Sequence, residues 1–340
     1  MQDQLVFLIG SPRSGSTLLS RLLGAHSEIF APEEPHLITP LAHLGYYDSV
    51  QIAAYDPIIA RAAARVLVAG LPAGEDSYLA ALRAYSDSIY SGLLEAAGGG
   101  AKRLLDKTPA YALSLDFLAK LYPQARYIVL TRHPIAVWSS FVDSFFDGDD
   151  RVAHTHNPLL ERYVPAIARF LRTASVPMHR IEYENLVQDP EEESRNLCTF
   201  LDLDYEPAMI DYGSVPDAQG ESARGLGDPT TVARETRPTT DSVSKWSGAA
   251  SGRPERVALY QEILARLGDE DLETWGHPRA EIARELEAVD LGARPAPRPK
   301  LTRYALERKL LVALRRLIRP DNALGGLVRK LREICDVLLR

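Results

Sequence analysis

The run from Leu5 to Thr17 reads Leu-Val-Phe-Leu-Ile-Gly-Ser-Pro-Arg-Ser-Gly-Ser-Thr. A strand-like apolar stretch feeds a loop with glycines at 10 and 15 and a threonine at 17, the Walker A spacing. Such a loop cradles phosphate with backbone N–H groups at a helix N-terminus. The position of the Walker lysine holds Ser16, and the nearby cation is Arg13, inside the loop. A nucleoside triphosphate with its magnesium therefore fits poorly, because that chemistry leans on the lysine. The expected phosphate contacts are Arg13, Ser14, Gly15, Ser16 and Thr17.

Other residues could bind or move charge. Arg132 directly follows an apolar run at 127–130, and Ser140 stands eight residues on, four past Ala136 and so on the same helix face as it. A strand-end arginine and a helical serine would make a second anion site, separate from the first loop. Two such sites suit a nucleotide phosphorylated at both ends. Lys107 follows Asp106 at the end of another short apolar run. Glu33, Glu34 and His36 lie among Pro32, Pro35 and Pro40, on a loop or extended piece.

The elements that must position these residues alternate. Strands are expected at 5–9, 103–105, 127–130 and 180–183; helices at 16–23, 50–69, 77–97, 109–121, 135–145 and 190–201. Residues 146–158 and 211–250 read as irregular. Strand–helix alternation implies an α/β, three-layer fold with a central parallel sheet. In such sheets ligands gather at the carboxyl ends of the strands, where Pro12–Thr17, Asp106–Pro109 and Arg132–Ser140 all fall. The expected division is a main domain over 1–292, a proline-rich linker at 293–299 and a basic amphipathic helical tail at 300–340.

Composition bounds the rest. The chain has 340 residues, 46% hydrophobic and 25% charged, with a net charge of −7. That balance argues against broad nucleic-acid binding. Eleven basic and four acidic side chains fall in 300–340, a net of +7, which leaves −14 for residues 1–299. The tail is expected either to dock an anionic partner or to pack on its own domain. Cys198 and Cys335 sit on apolar helix faces and suit burial; no disulfide framework or metal-ligand spacing is present. No cleavable leader and no membrane-length apolar run are read, so a cytoplasmic setting is expected.

On these residues the chain resembles the sulfotransferases that use 3′-phosphoadenosine 5′-phosphosulfate (PAPS). Residues 12–17 resemble their 5′-phosphosulfate loop, and Arg132 with Ser140 their 3′-phosphate pair. The nearest patterns are the tyrosylprotein sulfotransferases and the sulfotransferase domains embedded in polyketide assembly lines. The segment 32–36, Tyr183 to Val187, Ser244-Lys245-Trp246 and, for the assembly-line group, Gly225 to Pro229 carry that likeness, which spans roughly residues 3–275. It implies a P-loop-like fold and PAPS as sulfuryl donor without a metal. The implied acceptor is a hydroxyl on a small molecule, a peptide or a carrier-bound acyl chain. It further implies Tyr183 and Lys245 as donor contacts, Arg13 and Lys107 at the leaving oxygen, and Glu34 as general base, with Glu33 and His36 as rivals.

Two departures stand out. The histidine base of small-molecule sulfotransferases, two residues after the strand-end lysine, is Pro109 here. The arginine that follows the glutamate in the tyrosylprotein group is His36. A P-loop kinase or NTPase is the rival enzyme class, weakened by the missing loop lysine. A pure docking module is the non-enzymatic alternative.

Overall fold

The computed structural model describes residues 2–32, 57–98, 100–214 and 236–292, with isolated positions at 38, 41, 313, 326–327 and 330–331. Glu33, Glu34 and His36, the linker 293–299, Cys335 and nearly all of the basic tail lie outside the described residues. So do 215–235, which include Gly225 to Pro229.

Five parallel strands form one sheet: β1 (Leu5–Gly10), β2 (Ile29–Phe30), β3 (Arg103–Asp106), β4 (Arg126–Thr131) and β5 (Met178–Glu182), in the order β2-β3-β1-β4-β5. The expected α/β fold with a central parallel sheet is thus observed. Every residue of β1 is buried, as a central parallel strand covered on both faces requires. Its side chains alternate between two different cores. Val6 and Leu8 join Leu18, Leu19, Leu22, Leu105, Ile128, Leu130 and Leu197 in an aliphatic layer. Phe7 instead meets Tyr111, Tyr122 and Tyr127, with ring centroids 6.4, 5.7 and 5.5 Å away. The buried hydroxyls of that aromatic layer are satisfied. Tyr127 donates to the Leu118 and Tyr122 carbonyls, and Tyr122 to Asp87.

The described chain divides into two compact units. The first comprises Met1–His133, Tyr163–Val243 and Gly268–Pro278 and holds the whole sheet. The second comprises Pro134–Arg162, Ser244–Leu267 and Arg279–Arg340. Its described part is helical, with helices Pro134–Phe145, Asp150–His156, Lys245–Ala250, Pro254–Arg266 and Arg279–Glu287. It is tied by Arg256, almost fully buried, whose guanidinium meets Asp143 and Asp150 at 3.0 Å each. Trp138 donates to the other oxygen of Asp150 at 3.0 Å.

Several expected elements change on inspection. The helix expected over 109–121 is a 3-10 turn, Pro109–Leu113, followed by helix Leu115–Leu121. Ser114 leaves helical geometry between them (φ −131°, ψ 25°). Tyr183 does not end a strand; it opens the short helix Tyr183–Gln188. Helices Asp150–His156 and Lys245–Ala250 replace stretches read as irregular. The two-residue β2 carries too little sequence to show a period. Cys198 is buried in the aliphatic layer, as expected. Among the described residues no helix is long and apolar enough to cross a membrane.

Candidate active site

The site grows from the carboxyl edge of the sheet in the first unit. After Gly10 the chain turns tightly: the Ser14 N–H donates to the Ser11 carbonyl at 3.1 Å. Arg13 (φ 70°) and Gly15 (φ 99°) both adopt left-handed backbone. Helix Ser16–Gly24 starts there, and no side chain caps its N-terminus at Gly15. Its first N–H groups have no partner within the helix, which makes the turn an anion cradle. The hydroxyls of Ser11 and Ser14 are fully buried and meet no hydrogen-bond partner. Buried polar groups left open in this way are uncommon and fit a ligand that accepts from them. Ser16 is buried; Arg13 and Thr17 are half-buried.

Arg132 stands one residue past β4 and is 6% exposed. Its guanidinium lies 4.1 Å over the centre of the Tyr183 ring. One terminal nitrogen donates to the Arg13 carbonyl at 3.0 Å and the other to the Ser242 carbonyl at 2.7 Å. Its buried Nε meets no partner. Of five N–H donors, two are thus committed to backbone. Burial holds the Arg132 guanidinium below its ordinary value, and the nearby charge of Arg13 adds to that; Tyr183 and Glu184 oppose it. A buried arginine beside a half-buried one makes this edge locally positive, a setting that suits an anion. Gly15 completes the stack: a Cβ there would collide with the Tyr183 ring.

Lys107 lies one residue beyond the Phe7–Asp106 register pair, at the same edge as the loop, and is 4% exposed. Ahead of it, Asp106 is fully buried and accepts from Tyr90 (2.6 Å), Tyr111 (3.0 Å) and Thr108 (3.0 Å).

The structure therefore brings Arg13, Ser14, Gly15, Ser16, Thr17, Arg132 and Tyr183 to one place, with Lys107 on the same edge. Ser140 and Lys245 belong to the second unit. Ser140 is half-buried on helix Pro134–Phe145, and Lys245 is exposed at the start of its own helix. Glu34, Glu33 and His36 lie outside the described residues.

Sequence reading missed a supporting group behind Arg132. The His133 N–H donates to Glu184 Oε1 at 3.0 Å, and His277 Nε2 lies 3.6 Å from Glu184 Oε2. The Trp275 indole donates to the Arg132 carbonyl at 2.8 Å. Burial pushes the Glu184 carboxyl up, but the neighbouring His277 ring and the hydrogen bond from the His133 N–H outweigh it and hold the group below its ordinary value. Only Glu184, next to Tyr183, carried any local signal; Trp275 and His277 reach the site through tertiary folding.

The family model described as Sulfotransferase family matches residues 5–207 of this chain. The chain is 33% identical over 308 residues to Nodulation protein NoeE of Sinorhizobium fredii (strain NBRC 101917 / NGR234), covering 85% of this chain and 70% of that protein. It is 26% identical over 271 residues to Protein-tyrosine sulfotransferase 1 of Danio rerio, covering 78% of this chain and 72% of that one. A similar solved structure is the Sulfotransferase Domain from the Curacin Biosynthetic Pathway. It has a TM-score of 0.52 and 24% identity, over 80% of this chain and 95% of that one. At that identity the likeness speaks for the fold alone.

Proposed function

The chain belongs to the sulfotransferase family, and from that premise we propose that it moves a sulfuryl group from PAPS to an acceptor hydroxyl. The observation that carries the reading is the paired anion receptor at the sheet edge. There the buried hydroxyls of Ser11 and Ser14, which meet no hydrogen-bond partner, share the sheet edge with a buried Arg132 that donates to the Arg13 carbonyl. A doubly phosphorylated nucleotide answers both features.

In this reading Ser14, Gly15, Ser16 and Thr17 hold the 5′-phosphosulfate, while Arg132 and Ser140 hold the 3′-phosphate. Tyr183 and Lys245 contact the nucleotide; Ser140 and Lys245 rest on sequence spacing and resemblance. The bond from sulfur to the bridging phosphate oxygen breaks as the bond to the acceptor oxygen forms. Arg13 and Lys107 stabilise the electron pair left on the phosphate. Glu34 takes the acceptor proton, with Glu33 and His36 as the competing bases. The acceptor bears an alcohol or a phenol; relatives named protein-tyrosine sulfotransferases make peptide tyrosine the first to try. We place the enzyme in the cytoplasm on its two cysteines and their lack of a disulfide pattern.

The experiment is titration calorimetry with adenosine 3′,5′-bisphosphate, AMP and ATP–Mg²⁺, followed by transfer assays on a panel of hydroxyl acceptors. The bisphosphate is expected to bind, with AMP at least ~10-fold weaker because one charge-assisted phosphate contact is worth about 1.5–3 kcal/mol. Tight binding of ATP–Mg²⁺ with none of the bisphosphate would replace this reading with a kinase.

A further inference from the structure

Lys107 is almost wholly buried, and so are both its neighbours. Asp106 ends β3, in register with Phe7, and Thr108 follows Lys107 in extended backbone (φ −125°, ψ 106°). The Thr108 hydroxyl donates to Asp106 Oδ1 at 3.0 Å, so a hydrogen bond spans the lysine from one neighbour to the other. Tyr90, on helix Glu75–Ala97, and Tyr111, in the 3-10 turn, donate to Oδ2 at 2.6 and 3.0 Å. Thr108 is held at its carbonyl too, which accepts the Tyr111 N–H at 3.0 Å. The next residue, Pro109, fixes its own φ and keeps Thr108 out of helical geometry. The backbone on either side of Lys107 is thus fixed by strand pairing, by a proline and by three hydroxyls. Burying a carboxylate is expensive, and apolar replacements of buried charge are often as stable. Stability alone is therefore a weak reason for Asp106.

We propose that Asp106 and Thr108 are positioning residues for Lys107, and that the hydrogen bond between them sets the direction in which its ammonium leaves the end of β3. Continued by one residue, the alternation of β3 keeps Asp106 on the face of Phe7 and sends Lys107 to the opposite face. That is the face of Val6 and Leu8, on which Leu18, Leu19 and Leu22 of helix Ser16–Gly24 pack. The same helix starts at the phosphate loop. A lysine side chain is long and rotamer-rich, so an ammonium without such a frame would be spread over several positions. Charge stabilisation at a leaving oxygen works best from a donor already in place. The role rests on the sulfuryl-transfer reading above, which puts Lys107 at the bridging oxygen. Asp106 and Thr108 act through Lys107, not on the reacting atoms.

The test is a double-mutant cycle on the full chain, Thr108→Val with Lys107→Ala. Transfer rate, bisphosphate affinity and melting temperature are measured for each variant. Lys107→Ala should lower kcat ~10²–10³-fold, as loss of one charge-stabilising donor does. Thr108→Val should lower it ~10–100-fold, the scale of a small misplacement of a reacting group. The double variant should match Lys107→Ala within about twofold, since a frame matters only while there is an ammonium to aim. Bisphosphate binding should persist in all of them, because the loop and Arg132 are untouched. Thr108→Ser restores the hydroxyl and should return kcat to within about threefold of the parent. Tyr122→Phe, which loses a hydroxyl bonded to Asp87 at 2.8 Å, should melt earlier yet keep its kcat. Thr108→Val that costs as much on the Lys107→Ala background as on the parent, or that leaves kcat unchanged, overturns the proposal, as does an equal loss of kcat in Tyr122→Phe. Should Thr108→Val fail to fold, Asp106→Asn takes its place in the cycle. A parent that neither binds the bisphosphate nor transfers sulfuryl sinks the underlying reading instead. NMR relaxation at the Lys107 side chain then decides the frame by itself: an ammonium no more mobile in Thr108→Val than in the parent overturns it.

Discussion

Arg13 does two things that a substitution can separate. Its backbone sits in the left-handed region at φ 70°, where a Cβ costs roughly 1–2 kcal/mol. Its side chain supplies a cation beside the loop proposed to hold the phosphosulfate. Arg13→Ala keeps the backbone penalty and loses the cation; Arg13→Gly loses both. Both variants should cut the transfer rate ~10²–10³-fold, as deletion of one charge-stabilising donor does. The glycine variant should be the more stable by roughly 0.5–1 kcal/mol, after the larger entropy of the unfolded glycine is counted. Denaturant unfolding beside turnover measures the pair; an alanine variant as stable as the glycine one would show that the left-handed turn carries no strain. Gly15 is stricter, because its left-handed φ and the Tyr183 ring act together. Gly15→Ala must push Tyr183, and with it Arg132, out of place. Destabilisation of about 1–3 kcal/mol and loss of bisphosphate affinity should come together. At this scale the sequence was informative where chemistry is local. The loop spacing and the arginine after β4 were legible because each motif is contiguous. The Asp106 cluster with Tyr90 and Tyr111 was not, because its partners meet only after a helix, a strand and a turn have packed.

Elements hold the Arg132–His133 turn from behind. Helix Asp269–Trp275 ends at Gly276, left-handed at φ 99°, where a Cβ would strike the Glu182 carboxylate. The His277 N–H returns to the Leu272 carbonyl at 3.1 Å, closing a helix C-cap that presents His277 to Glu184. Trp275 on this helix pins the Arg132 carbonyl, and Glu184 on helix Tyr183–Gln188 pins the His133 N–H. Because the folded Glu184 carboxyl is held below its ordinary value of about 4.5, it binds its proton less readily than in the unfolded chain. Its contribution is present above about pH 4.5 and is lost as pH falls through the lower folded value. Glu184→Gln should therefore be clearly less stable than the parent at pH 7, with the gap narrowing by pH 3.5. Urea midpoints at the two pH values measure this; an equal gap at both would mean that the carboxylate charge does not matter. The central strands were legible from their apolar runs. The break at Ser114 and the helix opening at Tyr183 were not, since both depend on what the neighbouring elements leave room for.

For the whole molecule the question is which part of the chain the nucleotide needs. Every proposed donor contact lies before residue 246, while 293–299 is rich in proline and 300–340 carries a net +7 against −14 for the rest. The proposed division makes the tail an appendage to a self-sufficient body. A ligand held only by the native state stabilises it by mass action, by about 2.7 kcal/mol at a hundredfold excess over Kd. If the division is right, a chain ending at Gly292 should fold and show the same bisphosphate-induced rise in melting temperature as the full chain. AMP should give a smaller rise in both, and Arg132→Ala should shrink the bisphosphate effect in both. The measurement is a melting curve against nucleotide concentration for the two lengths. A shortened chain that folds but no longer responds would bring the tail into the nucleotide site. One that fails to fold would make the tail part of the body, and its positive charge would then serve to offset the acidic surface it packs on.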